Sequence, residues 1–393
     1  MSPPDSADGA QSIGPCRTRP APARTRPHHL NEGHELPRDV TDKGSLRGAA
    51  SATTGAGSSR SCCRPAPPRA RAASGPSHCP ARARSRSAWA AEGLVPIPAE
   101  AGGIPDPELL EQDLRQAGAN GARPGVLVLT VPDNPTGTVA PAEQVEAVCA
   151  VCAVADRHGL AVISDEIYAE LGHRGTTGSP VQHLGERTVV TTGLSKSLAL
   201  GGWRIGFART PAGRWGRHLH QELTGVASEI WSSSAAPMQA VAARALSDPP
   251  EVTAHIAAAR RLHARIATEV HTLLLAAGAQ CRPPRAGFYL YPDFAPTREV
   301  LRAQGITTGT DLATALLDRH DIATLPGSAF GEPDTALTLR LATSLLYGAT
   351  PQQRHMTLTA EEPQTLPWIA SALTRLSTAL VELTTDRHRP PHR

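Results

Sequence analysis

No run of about 18 apolar residues occurs in the chain, so the sequence offers no membrane-spanning helix. The opening residues, MSPPDSADGAQSIGPCRTRP, have no apolar stretch of the kind a secretory signal carries. Their Arg and Ser content resembles that of an organelle-targeting peptide, but no amphipathic helix can be drawn through so many prolines. Cysteine is sparse: seven residues, odd in number and irregularly spaced, argue against a disulfide framework and for a reducing, cytoplasmic setting. The 16 histidines are scattered, with no HExxH and no paired ligand spacing, so no metal site is expected. No internal repeat is longer than CAVCAV.

Charge is nearly balanced at +3 but unevenly spread. Residues 1–90 hold 14 Lys+Arg, 13 of them Arg, against 6 Asp+Glu, whereas residues 91–393 hold 25 against 30. The mildly acidic remainder gives no reason to expect nucleic acid as the main partner. Residues 1–90 also contain 12 prolines and no Phe or Tyr; after Met1 their large apolar residues are Ile13, Leu30, Leu36, Val40, Leu46 and Trp89. Such a segment cannot bury enough apolar surface to offset its ordering entropy, so disorder is expected over 1–91. Nothing aromatic interleaves its arginines to stack on bases. From about residue 45 to 91 the composition is also what a GC-rich gene yields when read out of frame, with the frame restored near EGLVPIPAE.

From about residue 92 the texture changes. GVLVLTV (125–131) is a continuous apolar run, the mark of a strand buried on both faces. A helix follows over APAEQVEAVCAVCAVADRHG, with Pro141 suited to its first turn and Gly159 to its stop. Val145, Val148, Cys149, Cys152 and Ala155 form one apolar stripe at helical spacing, so the CxxC reads as core packing and not as a redox or metal pair. LAVIS (160–164) and TVVTT (188–192) read as further buried strands, and strand–helix–strand at this spacing means a parallel sheet with right-handed crossovers. Beyond them the pattern predicts a long helix over 251–278, a strand over GFYLYPDF (287–294), a helix over 311–320, a strand over LTLRLATS (337–344) and a terminal helix aligning Ile369, Leu373, Leu376, Leu380 and Leu383.

Three polar stretches sit directly after the first three strands: PDNPTG (132–137), DEIY (165–168) and GLSK (193–196). In an open parallel sheet, ligands bind outside the carboxyl ends of the strands, so Asn134, Asp165, Tyr168 and Lys196 are expected to converge. A pyridoxal phosphate ring wants that set. Lys196 can form a Schiff base with its aldehyde, and Asp165 can pair with a protonated ring nitrogen. Tyr168 and Asn134 can donate to the ring oxygen, and Arg204 offers a planar fork for the phosphate. Gly201 and Gly202 let the lysine loop approach a bound molecule closely.

NPTG, DEIY, SKSLALGGWRIG, GFYLYPDF, PGSAFG (326–331) and LRLATS (339–344) stand in an order and rough spacing that resembles the fold-type I, class I/II aminotransferases. The resemblance runs over about residues 92–385. It implies that Lys196 carries the cofactor, that Asp165 holds the ring nitrogen, that Asn134 and Tyr168 donate to the ring oxygen and that Arg204 holds the phosphate. It further implies that Arg340 grips the substrate α-carboxylate, with Asn134 beside it. The residues agree: Arg340 lies on a strand whose Leu337, Leu339 and Leu341 point the other way. Many relatives carry a Ser three residues before the lysine; here that residue is Gly193, and Ser195 or Thr192 can take over the phosphate contact. Relatives also place well over a hundred folded residues before NPTG, a pattern that residues 1–91 do not share.

The expected architecture is α/β: a mostly parallel sheet with helices on both faces over residues 92–280, incomplete at its N-terminal side, and a smaller α+β lobe over 281–393. The expected function is that of a cytoplasmic aminotransferase dependent on pyridoxal 5′-phosphate, with an amino acid and a 2-oxo acid as its small-molecule substrates, homodimeric when folded, with neither nucleic acid nor membrane as partner. Two alternatives stay open: a C–S β-lyase using the same cofactor, and an aminotransferase-like protein without catalysis.

Overall fold

The apolar runs become strands close to where their patterning puts them. The computed structural model describes residues 102–153, 160–174 and 177–385, with the two-residue strands β1 (Arg82–Ala83) and β2 (Ile97–Pro98), which pair antiparallel. Apart from β1, the expectations for residues 1–91 lie outside the described residues, as do Ala155 and Gly159.

Strands β3 (Val126–Thr130), β4 (Ala161–Asp165) and β5 (Thr188–Gly193) run parallel, and β6 (Gly206–Arg209) joins antiparallel in the order β3-β4-β5-β6. Their register sets Thr130 opposite Asp165 and Asp165 opposite Thr191. The carboxyl ends of the three parallel strands are therefore level, and the segments that follow them leave the sheet side by side. Both edges are open among the described residues: Val126 and all four residues of β6 are exposed.

Helix α1 (Pro107–Ala119) has no counterpart among the expected elements. Its buried stripe is only Leu110 and Leu114, too sparse to read by periodicity; what starts it is local, Asp106 accepting from the Glu108 and Leu109 amides with Pro107 just inside. Helix α2 (Ala142–Ala153) buries Val145, Val148, Cys149 and Cys152 as the stripe predicts. These two helices and the sheet residues Leu129 and Val162 form one core.

A single turn, α3 (Leu194–Ser197), follows β5 and carries Lys196. Then come α4 (Arg214–Trp231), α5 (Ala236–Leu246) and the 27-residue α6 (Pro250–Ala276). The C-terminal region adds β7 (Tyr289–Leu290), α7 (Arg298–Ala303), α8 (Gly309–His320), β8 (Leu325–Pro326), β9 (Leu339–Ala342), α9 (Pro351–Thr359) and α10 (Pro367–Thr384). The three short strands form an antiparallel sheet, β7-β9-β8. Ile266 and Leu274 of α6, Leu290, Leu312, Leu339 and Leu380 meet in its core, each side chain contributing about 1.5–3 kcal/mol by leaving water. The strand expected over 287–294 shortens to two residues because Pro292 has no N–H to donate; beyond it, isolated bridges from Asp293 to Gln280 and Thr338 carry the pairing on. No helix among the described residues is long and apolar enough to cross a membrane.

Candidate active site

Lys196 reaches its position through the backbone on either side. Gly193, the last residue of β5, lies against β6 so closely that a Cβ there would sit 2.6 Å from the Ile205 carbonyl oxygen. Ala199 and Arg204 both adopt left-handed backbone, with φ of 54° and 55°, so the loop after the lysine is bent at two non-glycine positions. Such strain is held only where surrounding structure over-determines it. The amine lies 5.5 Å from the Tyr168 ring centroid and 5.6 Å from that of Phe288.

Asp165 ends β4. Burial raises its pKa above the ordinary carboxylate value, against the opposing pull of the Ile167 amide, which donates to Oδ1 at 3.2 Å, and of the nearby Lys196 charge. Tyr168 is buried, with Gly287 packed so tightly on its ring that a Cβ would stand 3.2 Å from Cδ1. Its hydroxyl donates to that of Tyr289 at 3.4 Å. Burial, then Tyr289, holds the Tyr168 phenol protonated well above its usual range, while the Arg340 charge acts the other way.

Arg340 projects from β9, and Leu339 and Leu341 are buried on the opposite face. Its Nη1 donates to Asn134 Oδ1 at 3.1 Å. The guanidinium carbon lies 4.4 Å from the Tyr289 ring centroid and 4.9 Å from that of Phe330. The Asn134 loop is tied to the C-terminal region through Gly137, whose carbonyl accepts from the Arg285 and Ala286 amides. With φ at +69° and a would-be Cβ 2.3 Å from the Tyr289 carbonyl oxygen, only glycine fits there.

Of the residues expected from sequence, Asn134, Asp165, Tyr168, Lys196 and Arg340 are thus linked by short contacts or by mutual electrostatic influence. Arg204 is not joined to them: its side chain is exposed and Nη1 donates to the Gly201 carbonyl at 3.0 Å. Ser195 adjoins Lys196 in α3, and the Ser197 hydroxyl is buried without a partner among the described residues.

Sequence patterning gave no role to the aromatic surroundings, although a signal existed. The chain has only four Phe and four Tyr. Five of these eight line the site in two ring-contact groups, Tyr168–Phe288–Tyr289 and Tyr291–Phe330, and the Arg340 guanidinium lies against a ring of each. A second signal is starker: Lys196 is one of two lysines in the chain, the other being Lys43, among 39 Lys+Arg. An arginine cannot shed its proton to become a nucleophile, whereas a lysine can.

Asp133, beside Asn134, was also unforeseen. Burial pushes its pKa up to about 6, although the Thr136 hydroxyl and the Thr136 and Asn134 amides pull it down. A folded-state pKa above the ordinary 3.8 means that the native state holds the proton more tightly than the unfolded chain. The stability this group contributes is complete below about pH 4 and is lost as pH rises through 6. Asp133→Asn removes that loss. Relative to wild type the variant should gain stability between pH 4 and 7, reaching a difference of about 3 kcal/mol. Denaturant melts at pH 4, 5.5 and 7 test this, and a pH-independent difference would refute it.

Comparison with known proteins adds a family to this geometry. The model of the family "Aminotransferase class I and II" matches residues 87–345. The aspartate aminotransferase of Geobacillus stearothermophilus is 33% identical over 227 residues, covering 57% of this chain and 54% of the relative. The arginine–pyruvate transaminase of Pseudomonas aeruginosa is 34% identical over 232 residues, covering 58% and 53%. The aspartate aminotransferase of Thermus thermophilus, solved with maleate, superposes with a TM-score of 0.54 at 26% identity, covering 70% of this chain and 60% of that one. The chain spans about half the length of the curated relatives it matches.

Proposed function

This chain belongs to the class I and II aminotransferases, and from that premise we propose that it moves an amino group between an amino acid and a 2-oxo acid with pyridoxal 5′-phosphate as cofactor. The observation that carries the reading is one rare amine, Lys196, set within electrostatic reach of a half-buried carboxylate, Asp165, and close to the ring of Tyr168. The donor set fits the cofactor: an amine for its aldehyde, a carboxylate for its ring nitrogen, a protonated phenol and an amide for its ring oxygen. When bound, the cofactor supplies an aldehyde that condenses with amines and a ring that withdraws electrons.

The side chains divide the remaining work. Lys196 Nζ takes the proton from the substrate α-carbon and later returns one, as general base and acid. Asp165 opposes a positive charge with a charge-assisted hydrogen bond. The Asn134 amide is oriented by Arg340, which donates to Oδ1 and so leaves the NH₂ group to face an anionic oxygen. Arg340 presents its planar fork to the substrate α-carboxylate, stiffened by the rings on its faces. Arg204, with Ser195, is assigned the phosphate by its place in the SKSLALGGWR stretch. The reading extends to a homodimer in the reducing cytoplasm, the second point resting on the odd number of cysteines.

The relatives named for aspartate make a dicarboxylic amino acid the first substrate to try. The full chain, with added pyridoxal phosphate, is given aspartate and 2-oxoglutarate, and the products are separated by chromatography. Paired oxaloacetate and glutamate are expected. Ammonia and pyruvate from a β-substituted amino acid would assign elimination instead, and no exchange with any amino acid tried would overturn the proposal.

A further inference from the structure

Glu332 is a buried carboxylate, 6% exposed, with no salt bridge among the described residues. An unpaired carboxylate in that setting is costly, so its retention calls for a reason. Its Oε2 accepts from the Thr338 hydroxyl at 2.6 Å, while Oε1 has no partner among the described residues. Thr338 stands two residues before Arg340 on an extended segment, so the two side chains share a face. The Tyr291 hydroxyl lies against the same group: burial first, and the Glu332 charge second, raise its pKa.

The turn that carries Glu332 is closed on itself and on β9. The Glu332 amide donates to the Gly327 carbonyl at 3.2 Å, and the Gly327 amide to the Thr338 carbonyl at 2.9 Å. A Cβ on Gly327 would fall 1.9 Å from the Thr338 hydroxyl and 3.0 Å from both Glu332 Oε2 and the Tyr291 hydroxyl. Between those two anchors the turn presents Phe330, whose face lies 4.9 Å from the Arg340 guanidinium carbon and whose ring meets Tyr291 edge-on at 5.9 Å.

We infer that Glu332 is a positioning residue: through Thr338 and the 327–332 turn it fixes Phe330 on the face of Arg340 and so sets the grip on the substrate carboxylate. The inference rests on Arg340 having the role proposed above. It assigns Glu332 no contact with substrate or cofactor.

The test separates position from stability. Removing one partner leaves the other buried and unsatisfied, whereas replacing both by apolar groups of similar shape is nearly neutral. Glu332→Met should therefore lower the melting temperature, and the double variant with Thr338→Val should recover most of it. In ¹⁵N NMR of the full chain, the Arg340 Nε–H signal, identified by its loss in Arg340→Lys, should be displaced by the two rings. In both variants it should move back toward exposed arginines and exchange faster with water. Maleate, titrated against the same samples, should bind about three- to tenfold more weakly, the net worth of one hydrogen bond. An Arg340 signal unchanged in both variants would overturn the inference whatever the melting temperatures do. Maleate binding that survives Arg340→Lys in the otherwise unaltered chain would overturn the carboxylate role of Arg340 and leave the NMR result to decide the positioning by itself.

Discussion

Lys196→Ala should abolish covalent capture of pyridoxal phosphate and cut turnover by roughly 10²–10⁴-fold or more, the range associated with loss of a general acid–base group. The experiment is unusually clean in this chain. Borohydride treatment after incubation with pyridoxal phosphate can fix the cofactor only to an amine, and the amines are Lys196, Lys43 and the chain terminus. Peptide mapping should find the label on Lys196 in the unaltered protein and nowhere in the variant. Lys196→Arg separates amine from charge: it keeps a cation near Asp165 and beside the rings of Tyr168 and Phe288, yet it cannot act as nucleophile or base. It should lose as much as the alanine variant. Label on Lys43 alone, or activity in Lys196→Arg, would remove Lys196 from the centre of the chemistry.

The lysine and its companions were legible because each stands directly after an apolar run, and apolar runs are what sequence patterning reads best. β3, β4 and β5 lie within a residue or so of GVLVLTV, LAVIS and TVVTT, and the level strand ends then bring Asn134, Asp165 and Lys196 close without further information. Elements whose cause is not an apolar repeat escaped. α1 is set by a cap and a proline, and β6 is an edge strand with no buried face to leave a pattern. The polar supports of the site were illegible for a different reason. Thr338, Glu332 and Tyr291 are separated by up to 47 positions and meet only because β9 pairs between β7 and β8. Asp133 looks like an ordinary turn residue in PDNPTG; only its burial shows that its charge is costly.

The second large effect is expected from Asp165→Asn. In the chain without cofactor, burial is the largest influence on Asp165 and raises its pKa, and the Lys196 charge only partly offsets it. A raised carboxylate pKa means that its stability contribution is present at low pH and lost as pH rises through the folded-state value. Near neutral pH, then, the cofactor-free Asn variant should melt at a higher temperature than wild type. Catalysis should move the other way. A half-buried carboxylate whose one hydrogen-bond donor is the Ile167 amide is suited to receive a cation, and a protonated ring nitrogen is one. An amide of the same shape can still accept a hydrogen bond but cannot oppose the charge, so the ring loses its hold on electrons. Removing a preorganised electrostatic group of this kind costs about 10²–10³-fold in kcat. Borohydride capture on Lys196 should persist in Asp165→Asn, because capture needs the amine and not the ring charge. Greater stability without cofactor, retained capture and lost turnover together mark a residue kept for chemistry at the expense of the fold. A near-wild-type rate in this variant would show that Asp165 does not hold the ring nitrogen, and a lower melting temperature would show that its burial serves the fold after all.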